Sequence, residues 1–455
     1  MKRRCIFRKS FWMLALSSLL GVNAGAQVAE QKNVIELTLE DAIEIAVSEN
    51  PTVLVADQQI ELKKISKNEA WQSLLPTVDF SGTVQYTVLA AVMKLNDMEF
   101  KMGKDNTSTW NGQFSVSLPI FVPTVYATMN LTTTDLQQAV EQSRSSRLDL
   151  VNQVTKAYYS LMLAQDSYKV LEQSYANAEK NFEVINSMFE LGGASEYDKI
   201  SAEVQMRSLK PSMISARNAV SIARLQLKVL MGIADDVEIV VNGSLSDYEE
   251  EMYSEVLASG NYSLDNNTSI RQLELNETLL NQNLTVQKMN FLPTLALQGS
   301  YSFQSLYNDN FRISDYTWAR SSSVVLSMSV PIFRMGNFTK LRSTKLQISQ
   351  LNQNRLYTER QIDMQVKSYL NNMKASAEQV ASNKEAIVQD EKGRLTADNR
   401  YEIGNGTILE LNNSEVSLTQ AKLTYGQSIF DYLSAKADLD KTLGVDDNIY
   451  PSEEK

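Results

Sequence analysis

The chain has 455 residues and a formal net charge of −11, with no histidine and one cysteine, Cys5. So acidic a chain lacks the clustered Lys and Arg that phosphate backbones require, and without histidine it lacks the commonest general base and metal ligand. We therefore expect no catalytic site, no resident metal or cofactor and no nucleic-acid partner.

The N-terminal segment has the three parts of a secretory signal. Basic residues lie between Lys2 and Lys9, an apolar run covers 11–20, and Ala24-Gly25-Ala26 supplies small residues for cleavage. The apolar run is short for a membrane anchor that is retained, which is the alternative reading. We predict a signal peptide over 1–26 and a mature protein outside the cytoplasm. Beyond it no continuous apolar run reaches 18 residues, so any membrane crossing is expected to use strands.

The mature chain opens with a predicted helix. Thr38 is a suitable N-cap, and Asp41 stands three residues later at the capping-box position. The helix is expected to continue to about Leu74 and to end before Pro76.

Strand-like alternation begins at Val78. Apolar residues alternate with polar ones that are almost free of charge, and the same pattern recurs around 110–118, 294–303 and 321–330. A soluble sandwich with a buried apolar face would show such alternation as well. Run lengths near ten residues instead favour tilted membrane strands, and Tyr86, Trp110 and Trp318 suit the aromatic girdles at a membrane surface.

Each pair of strands is followed by a very long predicted helix. The first runs from Thr124 to Glu190, or roughly 100 Å at ~1.5 Å per residue. Its apolar residues recur every three or four positions in a narrow seam, which is typical of coiled-coil packing. The rest of the helix surface is polar. Such an element is expected to cross a wide aqueous space.

Five short segments recur in the same order at shifts of 211 to 217 positions. They are Leu75-Pro76-Thr77 and Leu292-Pro293-Thr294; Leu118-Pro119-Ile120-Phe121 and Val330-Pro331-Ile332-Phe333; Lys156-Ala157-Tyr158 and Lys367-Ser368-Tyr369; Glu190-Leu191-Gly192 and Glu402-Ile403-Gly404; and Met231-Gly232 and Leu443-Gly444. This order predicts an internal duplication. We divide the mature chain into a first repeat (27–231), an inter-repeat segment (232–265), a second repeat (266–445) and a C-terminal tail (446–455).

Four strands in one chain are too few for a membrane barrel, and lipid tolerates no open strand edge. The strands of several copies must therefore combine, which predicts a closed oligomer.

These features together resemble a known family. The pattern Leu39-x-x-Ala42-x-x-x-Ala46-x-x-x-Asn50-Pro51, then Leu75-Pro76, then the paired Glu-Leu/Ile-Gly breaks, resembles the TolC-like outer-membrane efflux proteins. The resemblance implies an α+β membrane protein: a homotrimer with a shared 12-stranded barrel, four strands per chain, continued by a periplasmic α-helical coiled-coil tunnel. It also implies a periplasmic adaptor (membrane fusion) protein and an inner-membrane RND-type or ABC transporter as partners. The inter-repeat segment and the C-terminal tail would form a belt around the tunnel.

The resemblance also assigns site residues. The tips that meet the adaptor would correspond to Leu191, Gly192, Gly193, Ile403, Gly404 and Gly406. The gate would correspond to Glu410, Asn413, Asp198 and Tyr401. Two positions depart from the family pattern. Gly406 stands where the family can hold an arginine, and Asn413 where it can hold a second acidic ring.

We therefore predict an outer-membrane channel of a tripartite efflux system. The same architecture serves as the exit duct of a type I protein secretion system, and nothing in the chain separates the two. A trimeric coiled-coil adhesin is a remoter alternative, because adhesins place strands once, at one end.

Overall fold

The structure is a computed structural model that describes residues 34–95, 98–234, 236–250, 252 and 262–445. The predicted signal peptide (1–26) and C-terminal tail (446–455) lie outside these residues. In chain order the helices are α1 (Leu39–Glu49), α2 (Pro51–Gln72), α3 (Pro123–Glu190), α4 (Glu196–Met231), α5 (Thr268–Met289), α6 (Met335–Glu402) and α7 (Ile408–Leu443). The strands are β1 (Val34–Leu37), β2 (Thr77–Thr87), β3 (Ala91–Leu95), β4 (Met98–Met102), β5 (Thr107–Phe121), β6 (Glu238–Val241), β7 (Thr294–Asn308) and β8 (Ala319–Ser329).

The first predicted helix is interrupted. Thr38 caps α1 with Asp41 in a capping box, as expected. The single helix predicted to about Leu74 is wrong, because Asn50 leaves the helical conformation at ψ 127°. A residue before proline is pushed out of the helical region, and Pro51 follows it. Asn50 then caps α2: its side-chain oxygen accepts a hydrogen bond from the Thr52 amide at 2.8 Å.

The four strands that follow the predicted alternation form one antiparallel sheet in the order β2-β5-β7-β8. The ladder pairs Phe80 with Phe114, Phe114 with Tyr301, and Tyr301 with Ser322. Because opposed residues share a face, the register sorts the side chains into an apolar face and a polar face. The apolar face carries Val78, Phe80, Val84, Tyr86, Trp110, Phe114, Val116, Leu118, Leu295, Leu297, Tyr301, Phe303, Val324, Leu326 and Met328. The strands β5 and β7 have 15 residues each, longer than predicted.

The apolar face is open to its surroundings. Val78 is 68% exposed, Val324 77% and Leu326 65%. The sandwich alternative would bury these side chains against a second sheet, so the open face argues against it. Within the described residues β2 and β8 each lack a partner on their outer side.

The two halves of the fold contain helices of equal length. The helices α3 and α6 each have 68 residues, α4 and α7 each have 36, and α2 and α5 each have 22. The predicted start of the first long helix was one residue late. At ~1.5 Å per residue, α3 and α6 each span about 100 Å.

The seam predicted along the long helices is the core of the molecule. Val154, Tyr158 and Leu161 of α3 are buried in the main cluster, and so are Val366 and Val380 of α6. The pairs α3–α4 and α6–α7 pack along their lengths. The core is therefore a long stripe between helices.

The described part of the inter-repeat segment packs against the long helices near the middle of α3. Strand β6 pairs in parallel with β1. Asp166 of α3 accepts hydrogen bonds from the Ser244 hydroxyl at 2.9 Å and from the Leu245 amide at 3.0 Å. Glu249 pairs with Lys384 of α6 at 2.9 Å. These contacts hold the segment against α3 and α6.

Candidate functional site

The candidate site lies at the end of the helices farthest from the sheet, where two tight turns reverse the chain. One turn joins α3 to α4 and the other joins α6 to α7. In the first, the Gly193 amide donates to the Met188 carbonyl at 2.7 Å and the Gly192 amide to the Phe189 carbonyl at 3.0 Å. This is the Schellman pattern, which satisfies the free carbonyls of a helix C-terminus.

The second turn repeats the pattern. The Asn405 amide donates to the Arg400 carbonyl at 2.8 Å, and the Gly404 amide to the Tyr401 carbonyl at 3.0 Å. Gly192 and Gly404 have φ of 77° and 75°, the left-handed conformation that this kind of helix reversal requires and that glycine adopts readily. Gly406 differs, because a Cβ there would lie 3.0 Å from the Tyr401 nitrogen, so close packing explains that glycine.

The apex of each turn presents an apolar side chain to solvent. Leu191 is 88% exposed and Ile403 is 70% exposed. Large apolar side chains are more often buried. Here the neighbouring residues Gly192 and Gly404 have no side chain that could cover them. An exposed apolar tip is a suitable contact for a partner protein.

A small hydrophobic cluster joins the two turns. Ile185, Ala202, Ile408 and Leu411 are buried in it, with Phe182, Ala194, Ala397 and Tyr401 packed against it. The cluster draws from α3, α4, α6 and α7, so it brings the predicted gate residues of both halves into one region. Sequence reasoning did not identify this cluster. Its members are scattered over more than 200 positions, and only the fold brings them together.

Asp198 completes the capping box at the start of α4, whose N-cap is Ser195. Its carboxylate accepts hydrogen bonds from the Ser195 hydroxyl at 2.7 Å and the Ser195 amide at 3.2 Å, and its own amide donates to the Ser195 hydroxyl at 3.1 Å. Such a capping box satisfies two free amides at the start of α4. Burial raises the pKa of the Tyr401 phenol, and the negative charge of Asp198 raises that pKa further. Tyr401 therefore stays neutral at physiological pH.

Glu410 occupies the matching position in α7 but has a different partner. Its amide donates to the Thr407 hydroxyl at 3.2 Å, while its carboxylate lies 3.6 Å from the Arg400 guanidinium. Arg400 also donates to the Asn405 carbonyl at 3.0 Å. The acidic position predicted at the gate thus has a cation beside it.

Sequence reasoning missed Arg400. A basic side chain in the last turn of a helix is a recognised signal, since it interacts with the carbonyl end of the helix dipole. The sequence shows such a basic residue, Arg400, directly before Tyr401.

Asn413 lies one turn beyond Glu410 and is exposed. A second ion pair, Arg394 with Glu415 at 3.1 Å, lies further along the same two helices.

Among the described residues, no helix combines the length and apolar character that crossing a bilayer requires. In the same part of the chain, no group of three or more His, Cys, Asp or Glu side chains is arranged to hold a metal ion.

Comparisons with known proteins agree with this geometry. The family model for outer membrane efflux proteins matches residues 42–233 and 261–445. The outer membrane protein TolC of Escherichia coli is 21% identical over 400 residues, covering 86% of this chain and 78% of TolC. TolC of Vibrio cholerae is 20% identical over 311 residues, covering 68% of this chain and 70% of its own length.

Solved structures show the same fold. The Campylobacter jejuni outer membrane channel CmeC superposes with a TM-score of 0.70 at 16% identity, covering 96% of this chain and 95% of its own. The outer membrane protein VceC of Vibrio cholerae superposes with a TM-score of 0.70 at 15% identity, covering 89% of this chain and 96% of its own.

Proposed function

Because the chain belongs to the outer membrane efflux protein family, we propose that it is the outer-membrane channel component of a tripartite efflux system. The observation that carries the proposal is one continuous body in which an amphipathic sheet is joined directly to helices about 100 Å long. A sheet with an open apolar face suits lipid. Long helices with a polar outer surface suit an aqueous compartment.

The sheet supports a shared barrel. Its apolar face is exposed, and on its polar face the Ser300 and Ser323 hydroxyls lie 2.8 Å apart while those of Ser302 and Ser321 lie 2.7 Å apart. Its outer edges β2 and β8 lack partners within the described residues. In lipid such edges must pair, and three copies with four strands each would close them. The proposal is a homotrimer with a 12-stranded barrel in the outer membrane.

The helices support a tunnel in the periplasm. The chain reaches this compartment through the signal peptide proposed to be cleaved near Ala26. The equal lengths of the paired helices support an internal duplication, with repeats 27–231 and 266–445 around an inter-repeat segment over 232–265. The duct is passive and not an enzyme, and it would draw its cargo from an inner-membrane transporter through a periplasmic adaptor.

The tip turns are the proposed adaptor contact, and Glu410, Asn413, Asp198 and Tyr401 are the proposed gate. Leu191 and Ile403 support this role because they are apolar and exposed while their backbone hydrogen bonds are already satisfied. The cluster around Ile408 supports a gate because it couples the two turns.

Deleting the gene in its native host tests the function. The deletion should raise retention of a fluorescent efflux dye such as Nile red, and the wild-type gene should restore export. Unchanged dye retention, together with the loss of one secreted protein from the medium, would favour the type I secretion duct instead.

Complementation with Leu191→Asp/Ile403→Asp tests the docking contact. The charges should weaken an apolar interface, while the backbone hydrogen bonds of the two turns do not involve the Leu191 and Ile403 side chains and should stay intact. The variant should reach the outer membrane and fail to restore export. Leu191→Met/Ile403→Met is the matched control and should restore it. If the charged variant exports as well as wild type, the tips are not the docking surface.

A further inference from the structure

The segment between β2 and β5 folds as a separate two-stranded sheet. The strands β3 and β4 pair Ala91 with Met102, Met93 with Phe100 and Leu95 with Met98. The hairpin lies at the end of the main sheet opposite the helices, because β2 follows α2 and β5 leads into α3.

The two faces of this hairpin differ in chemistry. Opposed residues share a face, so Met93, Met98, Met102 and Phe100 project on one side. The other side carries Lys94, whose ammonium pairs with Glu99 at 2.6 Å, and Lys101, which pairs with Asp105. The methionine face is therefore separated from the charges of its own hairpin.

The methionine side chains are open to solvent. Met93 is 53% exposed, Met98 60% and Met102 61%. Met93 lies opposite Phe100, and Met98 and Met102 are its two diagonal neighbours on β4. Diagonal neighbours are about 7–8 Å apart, within reach of long side chains. Met98 and Met102 lie about 13 Å from each other along the strand. Met93 lies between them, so it can share a ligand with either one.

The base of the hairpin is held in place. The Ala90 amide donates to the Asp105 carboxylate at 2.6 Å, and the Asn106 amide to the Val88 carbonyl at 3.4 Å. Gly103, at φ 114°, lies against the Tyr307 ring. The face is thus presented on an anchored platform.

Thioether sulfur is a soft ligand, and soft ligands select Cu(I) over hard cations. The chain has no histidine, and its one cysteine, Cys5, lies in the predicted leader, so methionine is the soft donor of the mature protein. We propose that Met93, with Met98 and Met102 on either side, forms a site for a soft monovalent cation, Cu(I) or Ag(I). Phe100 is the cross-strand partner of Met93 on the same face, and an aromatic face adds attraction for a cation. The site does not depend on the proposed channel function.

Silver binding to the purified full-length protein tests the site, since Ag(I) needs no reductant. Calorimetry with silver nitrate in chloride-free buffer should show one equivalent per chain, and the metal should remain after desalting. Met93→Leu keeps the volume and apolar character while removing the central sulfur, and it should weaken binding at least tenfold. Met98→Leu and Met102→Leu should each weaken it less.

Met364→Leu is the matched control, because Met364 is 62% exposed and lies on α6, outside the hairpin. It should bind silver as wild type does. The site is disproved if the wild type retains no stoichiometric silver, or if Met93→Leu binds as tightly as wild type. The second result would indicate a merely hydrophobic surface, which leucine preserves.

Discussion

At the scale of single residues, matching positions in the two halves have different side-chain partners. Asp198 and Glu410 both stand three residues after an N-cap. Asp198 bonds back to Ser195, whereas Glu410 lies beside Arg400. The first half has Met188 where the second has Arg400, so the ion pair belongs to one turn alone. In a threefold assembly each Glu410 would bring its own counter-charge to the entrance.

Arg400→Gln should therefore make the entrance more cation-selective. Removing the guanidinium leaves the carboxylates uncompensated, and hard multivalent cations prefer such oxygen clusters. Block by a trivalent cation added on the periplasmic side of a planar bilayer should tighten by up to about fivefold, because an exposed ion pair is worth at most about 1 kcal/mol.

Two further variants complete this test. Glu410→Gln in the Arg400→Gln background should remove the added block, and Asn413→Ala should change little. If Arg400→Gln leaves both block and reversal potential at wild-type values, Glu410 does not line the conducting path.

At the scale of elements, the sheet shows how register controls the environment of each side chain. Val84 pairs with Trp110 on the apolar face, and its neighbour Thr83 pairs with Asn111 on the polar face. Gly112 also has a packing reason, since the Phe303 ring occupies the space where a Cβ would lie. The sheet is amphipathic over most of its surface, with Ser322 and Arg320 on the apolar face and Val325 on the polar face as exceptions.

Val84→Arg and Thr83→Arg place the same cation on opposite faces of one strand. Arginine on a lipid-facing position destabilises a barrel by an amount that depends on its depth, up to about 2–4 kcal/mol at the bilayer midplane, while a lumen position is tolerated. Val84→Arg should lower the amount of folded protein in isolated outer membranes, and Thr83→Arg should not. Equal yields from the two variants would mean that the apolar face is not in lipid.

At the scale of the whole molecule, a single chain leaves extended apolar surfaces exposed. Besides the sheet, one face of α4 carries a line of exposed apolar side chains: Tyr197, Ile200, Val204, Ile214, Ile222, Leu225 and Val229. Near each end of the helix they are three or four residues apart, which is the spacing of a helix–helix seam, and between Val204 and Ile222 the same face carries Ile214. Exposed apolar patches of this kind mark interaction sites.

We expect the detergent-solubilised protein to be a trimer, and light scattering coupled to size exclusion should give about three times the mass of one chain. Ile200→Lys/Val204→Lys places charges in the α4 seam and should shift the protein toward smaller species. Ile200→Leu/Val204→Ile keeps the seam apolar and should remain trimeric. A stable monomer in the wild type would disprove the shared barrel.

Much of this protein can be predicted from its sequence because the information is local. The alternation from Val78, the seam through Val154 and Tyr158, and the cap at Thr38 each depend on residues within a few positions of one another. The left-handed glycines Gly192 and Gly404 were also predictable, since a helix reversal requires that conformation. Family membership followed from the order of such local signals.

Other features depend on contacts between residues that are distant in sequence, or on which of two competing local signals prevails. The break at Asn50 was missed because the helical periodicity outweighed the signal from Pro51. The Met93 face arises only when β3 and β4 pair in one register, since a shift by one residue would turn Met93 to the charged side. Likewise the Ile408 cluster and the neighbours of Asp198 come from four helices meeting at one end. Local patterns determine the elements, and long-range packing determines which side chains meet.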